Sequence, residues 1–192
     1  PSALEINPNY VRLGTKFAKT VFVFTYPRYL ATGWFSPIVN FPGLLDISIV
    51  INPVETSVAL KNLRKKATQI EAQMIEAQEK GMIRDPILET AQQDIESLRD
   101  SLQQSRESLF SVGAYITFYA DTLEDLNKLQ SEISSILESR LIYAKPALFE
   151  QVQALNSVFP IGTDRLALYT PLNSGPLSSF FPFVSLTLTS DE

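Results

Sequence analysis

Apolar residues recur at alternating spacings of three and four in two stretches between Pro53 and Ser108. Leu60, Leu63, Ala67, Ile70, Met74 and Ala77 form the first, and Leu88, Ala91, Ile95, Leu98 and Leu102 the second. A 3.5-residue repeat makes a narrow seam, so the pattern predicts two helices that zip along one line. Between them, Gly81 suits the left-handed residue that ends a helix, Asp85 a cap and Pro86 a first turn. The expectation is a long, protruding antiparallel helical hairpin inserted at 54–108, reaching about 35 Å at 1.5 Å per residue.

Elsewhere the period is two. Thr20–Thr25 is rich in β-formers. Leu45, Ile47, Ile49 and Ile51 alternate with Asp46, Ser48, Val50 and Asn52, and Phe110 through Phe118 alternate with Ser111 through Tyr119. Shorter strands are predicted near Tyr10–Leu13, Leu141–Ala144 and Leu166–Tyr169. A helix is expected over 122–139, opened by a capping box at Asp121–Glu124, with another short one at 147–158. A hairpin of equal helices returns the chain, so strands 44–52 and 109–120 should be antiparallel. A single helix crosses over, so 109–120 and 141–145 should be parallel. The fold class is therefore α+β: one domain over 1–192, with a mixed sheet and helices packed on one face.

Length permits one sizeable core in 192 residues, and 45% hydrophobic with 19% charged residues is the composition of a folded chain. The net charge of -5 argues against general attraction to nucleic acid or anionic lipid. Cysteine and histidine are absent, which removes disulfides, thiolate or imidazole metal sites, and the usual nucleophile–base pairs. No apolar run reaches the roughly 18–20 residues that span a bilayer. The chain opens on Pro1 and closes just after the alternating run Leu186-Thr187-Leu188-Thr189, and it reads as part of a longer protein.

Candidate chemistry is sparse. Gly14-Thr15-Lys16 and Lys19-Thr20 lack the spacing of a phosphate-cradling loop, and no strained serine elbow is present. Asp46, Asp85, Asp94, Glu96 and Asp100 fit solvated faces and a cap rather than an acid/base pair. Nothing assigns a catalytic, cofactor or metal residue. Two clusters remain as candidates for partner contact. Tyr26, Arg28, Tyr29 and Trp34 sit in a ring-rich stretch, which reads either as a corner tucked against the sheet or as a docking surface. Lys61, Arg64 and Lys65 share a helix face, which reads either as a solvated face or as a contact for anionic groups.

Tyr10-Val11-Arg12-Leu13-Gly14 through Phe17-Ala18-Lys19-Thr20, Tyr26-Pro27-Arg28, Gly33-Trp34, Asp46-Ile47-Ser48 and Pro53-Val54-Glu55 follow one another along the chain. After them come Asn62-Leu63-Arg64, Asp85-Pro86, Ala120-Asp121, Pro160-Ile161-Gly162-Thr163-Asp164-Arg165 and Phe181-Pro182-Phe183. In this order they resemble the amino-terminal region of the VirB/TraC-type ATPases of conjugation and type IV secretion. The resemblance implies a dimeric or hexameric motor, cytoplasmic and peripheral at the inner face of the bacterial membrane. It further implies a RecA-like core, holding ATP and Mg²⁺, carboxy-terminal to this region. No position here matches the family's nucleotide-binding motifs, so the implied role is a non-catalytic assembly domain. Its expected partners are inner-membrane subunits, its own ATPase domain and further copies of itself, with no direct nucleic-acid binding. Without the resemblance, a freestanding coiled-coil adaptor is the alternative.

Overall fold

Strands and helices follow in the order β1 (Leu4–Asn7), β2 (Tyr10–Leu13), β3 (Lys16–Thr25), α1 (Ser36–Val39), β4 (Leu45–Val54), α2 (Thr56–Glu79) and α3 (Pro86–Gln103). Then come β5 (Leu109–Ala120), α4 (Leu123–Glu138), β6 (Tyr143–Pro146), α5 (Gln151–Val158), β7 (Thr170–Asn173) and α6 (Ser174–Ser178). This computed structural model describes residues 4–83 and 85–181. Within these residues the protein is α+β, with a seven-stranded antiparallel sheet and six helices. Arg84 and the run at 186–189 lie outside the described residues, as do Pro182 and Phe183. Two compact units are formed. One comprises Asn52–Phe110 with Leu172–Gly175, and the other Ser111–Pro171 with the chain up to Ile51 and from Pro176 on.

The sheet runs β1-β2-β3-β5-β4, with β6 on β3 and β7 on β5. β3 pairs antiparallel with β5 from Phe17 opposite Ala120 to Phe22 opposite Tyr115. It pairs with β6 from Val21 opposite Pro146 to Thr25 opposite Tyr143. Val21 and Phe22 thus bond to a strand on either side, and β3 lies between β5 and β6. Those two run in the same direction, as a crossover requires, but they are not neighbours. The expected mixed sheet is corrected to an antiparallel one because β3 occupies the place between them.

The expectation of helices on one face is also corrected. Lys19 of β3 bonds to Asn127 and Gln130 of α4, whereas Phe22, three residues on, packs against the cluster that holds Ala154 and Val158 of α5. Residues of opposite parity point to opposite faces, so α4 and α5 cover different sides. β5 shows why both are needed: every residue from Val112 to Phe118 is buried. The alternation seen in the sequence separates two apolar faces, not a wet one from a dry one.

On its β2 and β6 edge, β3 passes from one partner to the other across Lys19 and Thr20. The α5 side chain of Gln151 bridges this gap, accepting from Thr20 N–H at 2.8 Å and donating to Thr20 C=O at 3.2 Å. A buried amide thereby supplies the bonds a strand neighbour would have made.

Local chemistry sets the element ends. Thr122, not Asp121, caps α4: its hydroxyl accepts from Asp125 N–H at 3.1 Å. Residues 166–169, expected as a strand, form none; the strand begins at Thr170. Their amides are already taken by side chains, Leu166 N–H by Ser157 Oγ and Asp164 Oδ1, Ala167 N–H by Asp164 Oδ1, and Leu168 N–H by the Tyr115 hydroxyl. With three of the four amides so engaged, a ladder had few donors left to use.

In the other unit, α2 ends as its sequence demands. Gly81 has φ 65°, and Met82 N–H bonds Ala77 C=O at 2.9 Å while Gly81 N–H bonds Gln78 C=O at 3.0 Å. Asp85 accepts from Ile87 N–H at 2.9 Å and starts α3 ahead of Pro86. Ala59, Leu63 and Leu102 form a buried cluster with Leu60, Ile95 and Leu98 against it, all but Ala59 on the seam the repeat defines.

Candidate partner-contact surface

The ring-rich stretch divides into a buried and an exposed half. Trp34 is 2% exposed and Phe35 is fully buried. Trp34 meets Phe180 with ring centroids 4.8 Å apart and Phe35 at 5.0 Å, while Tyr26 stands 5.9 Å from Trp34 and 6.0 Å from Phe180. These edge-on arrangements place ring edges on ring faces, the geometry that aromatic quadrupoles favour. The Gly33 N–H donates to Ser179 C=O at 3.0 Å and ties the two chain segments together. Of the two readings of this stretch, Trp34 takes the tucked one, with Tyr26 half-buried beside it. Phe180 closes over Trp34 and adds a fourth ring to the cluster, which takes apolar area out of water.

Two polar atoms inside this cluster, the Tyr26 hydroxyl and the Trp34 indole N–H, have no hydrogen-bond partner. Burial alone pushes the Tyr26 phenol well above its ordinary range. Arg28 and Tyr29 make up the exposed half. Tyr29 is 80% exposed, with the Arg28 guanidinium 5.6 Å from its ring centroid.

Lys61, Arg64 and Lys65 are all exposed along α2, and among the described residues no ion pair joins any of them to a carboxylate. They belong to the helical unit, and the ring cluster to the sheet unit. The helical unit also holds an apolar feature that sequence reasoning treated only as a turn. Met82, Ile83 and Ile87 are 63%, 94% and 76% exposed. Their signal was visible in the sequence: three large apolar residues in and beside a turn, off the seam that packs α2 on α3.

The most connected polar centre is structural. Tyr115 donates to Asp164 Oδ2 at 2.8 Å, beneath the loop that precedes β7. Burial by itself would raise the Asp164 carboxyl. Bonds from the Ala167 amide and from Ser157, Tyr169 and Tyr115 outweigh it and hold the group below its usual range. Lys19 has its ammonium lowered by burial and is held by two neutral amides, at 2.9 Å from Asn127 and 2.8 Å from Gln130. Asp164 lines a shallow groove with Ser48, Ser157 and Thr163, and its carboxylate there is held by the Tyr115 hydroxyl and by the Leu166 and Ala167 amides. Among the described residues no cluster of acidic side chains could hold a metal, and no helix is long and apolar enough to cross a membrane. Comparison with protein-family models and with curated proteins finds no match to this chain.

Proposed function

We propose that this chain is the non-catalytic assembly domain of a conjugative-transfer or type IV secretion ATPase, joining the motor to an inner-membrane complex. The observation that carries the reading is the ordered run of residues resembling that family's amino-terminal region, together with where those residues lie. Gly33-Trp34 of the run sits in a ring cluster closed by Phe180, the residue just before the run's Phe181. Lys19, Thr20 and Asp164 hold the polar centres of the sheet unit. Residues of such a run that converge on shared clusters act as one folding unit.

The hairpin formed by α2 and α3 serves in this reading as the reaching arm, with Met82, Ile83 and Ile87 at its turn and Lys61, Arg64 and Lys65 along one helix. The exposed apolar turn suits contact with a membrane subunit, and the basic residues near the start of α2 supply a separate contact for anionic groups. Arg28 and Tyr29 supply a second contact. The chain itself is expected to bind no ATP, since no loop of the required spacing is present.

Two measurements test the proposal. The reading frame beyond Glu192 should encode a phosphate-binding loop and a RecA-like core, and the parent protein should hydrolyse ATP. The parent should also co-purify with inner-membrane subunits encoded beside it, and Ile83→Asp should weaken that association without lowering the melting temperature. A parent without a nucleotide-binding loop, or micromolar Mg-ATP binding by residues 1–192 in calorimetry, would overturn the reading in favour of the freestanding adaptor.

A further inference from the structure

Strand β4 ends the sheet. It bonds to β5 and, among the described residues, to no other strand. Whereas β5 is buried from Val112 to Phe118, no residue of Leu45–Val54 is fully buried. The Tyr119 N–H bond to Leu44 C=O at 3.3 Å sets the alternation, since residues of even number then point their amides at β5. The N–H and C=O groups of Ile47, Ile49 and Ile51 therefore face the open edge.

Natural edge strands are guarded by charge, proline, bulges or brevity. The strands β1, β6 and β7 are only four residues long. β4 has ten residues, and from Ile47 to Ile51 it carries no charge, proline or glycine. Its one carboxylate, Asp46, is engaged by the Tyr119 hydroxyl at 2.5 Å. Each face has a groove beside it, one apolar and one mixed. Phe35 and Val39 line a groove of about 320 Å³ with Ile47 and Ile49, and Val158, Phe159 and Pro160, with Ser157, Thr163 and Asp164 at its polar side, line another of about 450 Å³ with Ser48 and Val50. An added strand would find unpaired backbone groups between two grooves that can take its side chains, the arrangement that β-augmentation uses.

We propose that the occupant is a second copy of this chain, joined β4 to β4 in antiparallel fashion about a twofold axis at Ile49. The inference goes beyond the anchoring role and does not depend on it. In that register Ile47 faces Ile51, Ser48 faces Val50, and Asp46 faces Asn52. The outward amides of Ile47, Ile49 and Ile51 all find partners, and no like charges meet. A register centred on Ser48 would set Asp46 against Val50. One centred on Val50 would set Ile47 against Pro53, which has no N–H to give. The edge is thus self-complementary in one register, as an isologous contact requires.

The chain has no cysteine, so Ile49→Cys introduces a single thiol. Directly opposite residues of a hydrogen-bonded antiparallel pair have Cα atoms about 5.5 Å apart, within disulfide reach. Sedimentation of the unmodified chain should show its mass doubling as concentration rises through the micromolar range. Mild oxidation should convert Ile49→Cys, but not the exposed Tyr29→Cys, to a dimer that reductant reverses. Ile49→Pro removes one outward amide without touching the bonds to β5, and should sediment as a monomer with its melting temperature kept. If that variant fails to fold, Ile51→Lys replaces it with the same expectation. A chain that stays monomeric overturns the proposal, whether the edge is bare or taken by another protein's strand. So does a dimer that survives these variants or fails to cross-link through Ile49→Cys.

Discussion

Trp34 and Phe180 lie with ring centroids 4.8 Å apart at an interplanar angle of 72°, although they come from opposite ends of the chain. Trp34→Ala should therefore cost about 3–5 kcal/mol of stability, the range for removing a buried large aromatic. Arg28→Ala and Tyr29→Ala, on the exposed half of the same stretch, should change stability by less than about 0.5 kcal/mol. Urea midpoints of the three variants check this. A Trp34→Ala midpoint near that of the parent would return the ring to the surface.

Gln151 substitutes for a missing strand beside Thr20, so Gln151→Leu leaves the Thr20 N–H buried without its acceptor. The expected loss is about 1–3 kcal/mol. Hydrogen exchange at the Thr20 amide should accelerate more than that of amides elsewhere in β3. Equal protection in the variant and the parent would remove Gln151 from this role.

Gly113 has no room for a side chain. A Cβ there would lie 2.5 Å from the Tyr115 hydroxyl and 3.3 Å from Leu168 C=O. Gly113→Ala should break the Tyr115–Asp164 bond and destabilise the domain by about 1–3 kcal/mol, as overpacking in a dense core does. In the Tyr115→Phe background the same change should cost less, because the clashing oxygen is gone. A double-mutant cycle measures the difference.

Alkaline pH should destabilise the fold. Burial is the largest cause raising the phenols of Tyr26, Tyr115 and Tyr119 above their ordinary 10.0, and hydrogen bonds to Asp164 and Asp46 add to it for the latter two. The unfolded chain releases these protons near 10 and the folded one does not. The folded state then holds more protons, and stability falls as pH rises past the unfolded value. The stabilisation is fully present below that point. Urea midpoints from about pH 8 to about pH 11 should decline, and Tyr115→Phe should flatten the decline. An unchanged slope in Tyr115→Phe would exclude that residue as a source.

The helical unit has its own core in Ala59, Leu63 and Leu102, with Leu60, Ile95 and Leu98 packed on it. Replacing Leu60–Gln103 by a short Gly/Ser linker should leave a cooperatively melting sheet unit, since closure entropy depends only weakly on loop length. Loss of the cooperative transition would show that the sheet unit needs these helices.

What the sequence determined by itself is local. The 3.5-residue repeat marks α2 and α3, Gly81 and Asp85 mark the turn between them, and alternation marks β4 and β5. Each of these signals depends on residues within a turn or two, where backbone geometry fixes which side chains share a face. The apolar turn residues Met82, Ile83 and Ile87 were legible in the same way, as large side chains that no seam could cover. The tertiary structure decided what each face meets. Alternation in β5 could not tell a solvated side from a second buried one, because Gly113, Tyr115 and Thr117 are polar or small yet buried. The place of β3 between β5 and β6 depends on pairing among distant segments, as does the bridging amide of Gln151. Trp34 carried the same composition signal whether it faced a partner or the core. Phe180, far along the chain, settled it by covering the ring and removing its apolar area from water.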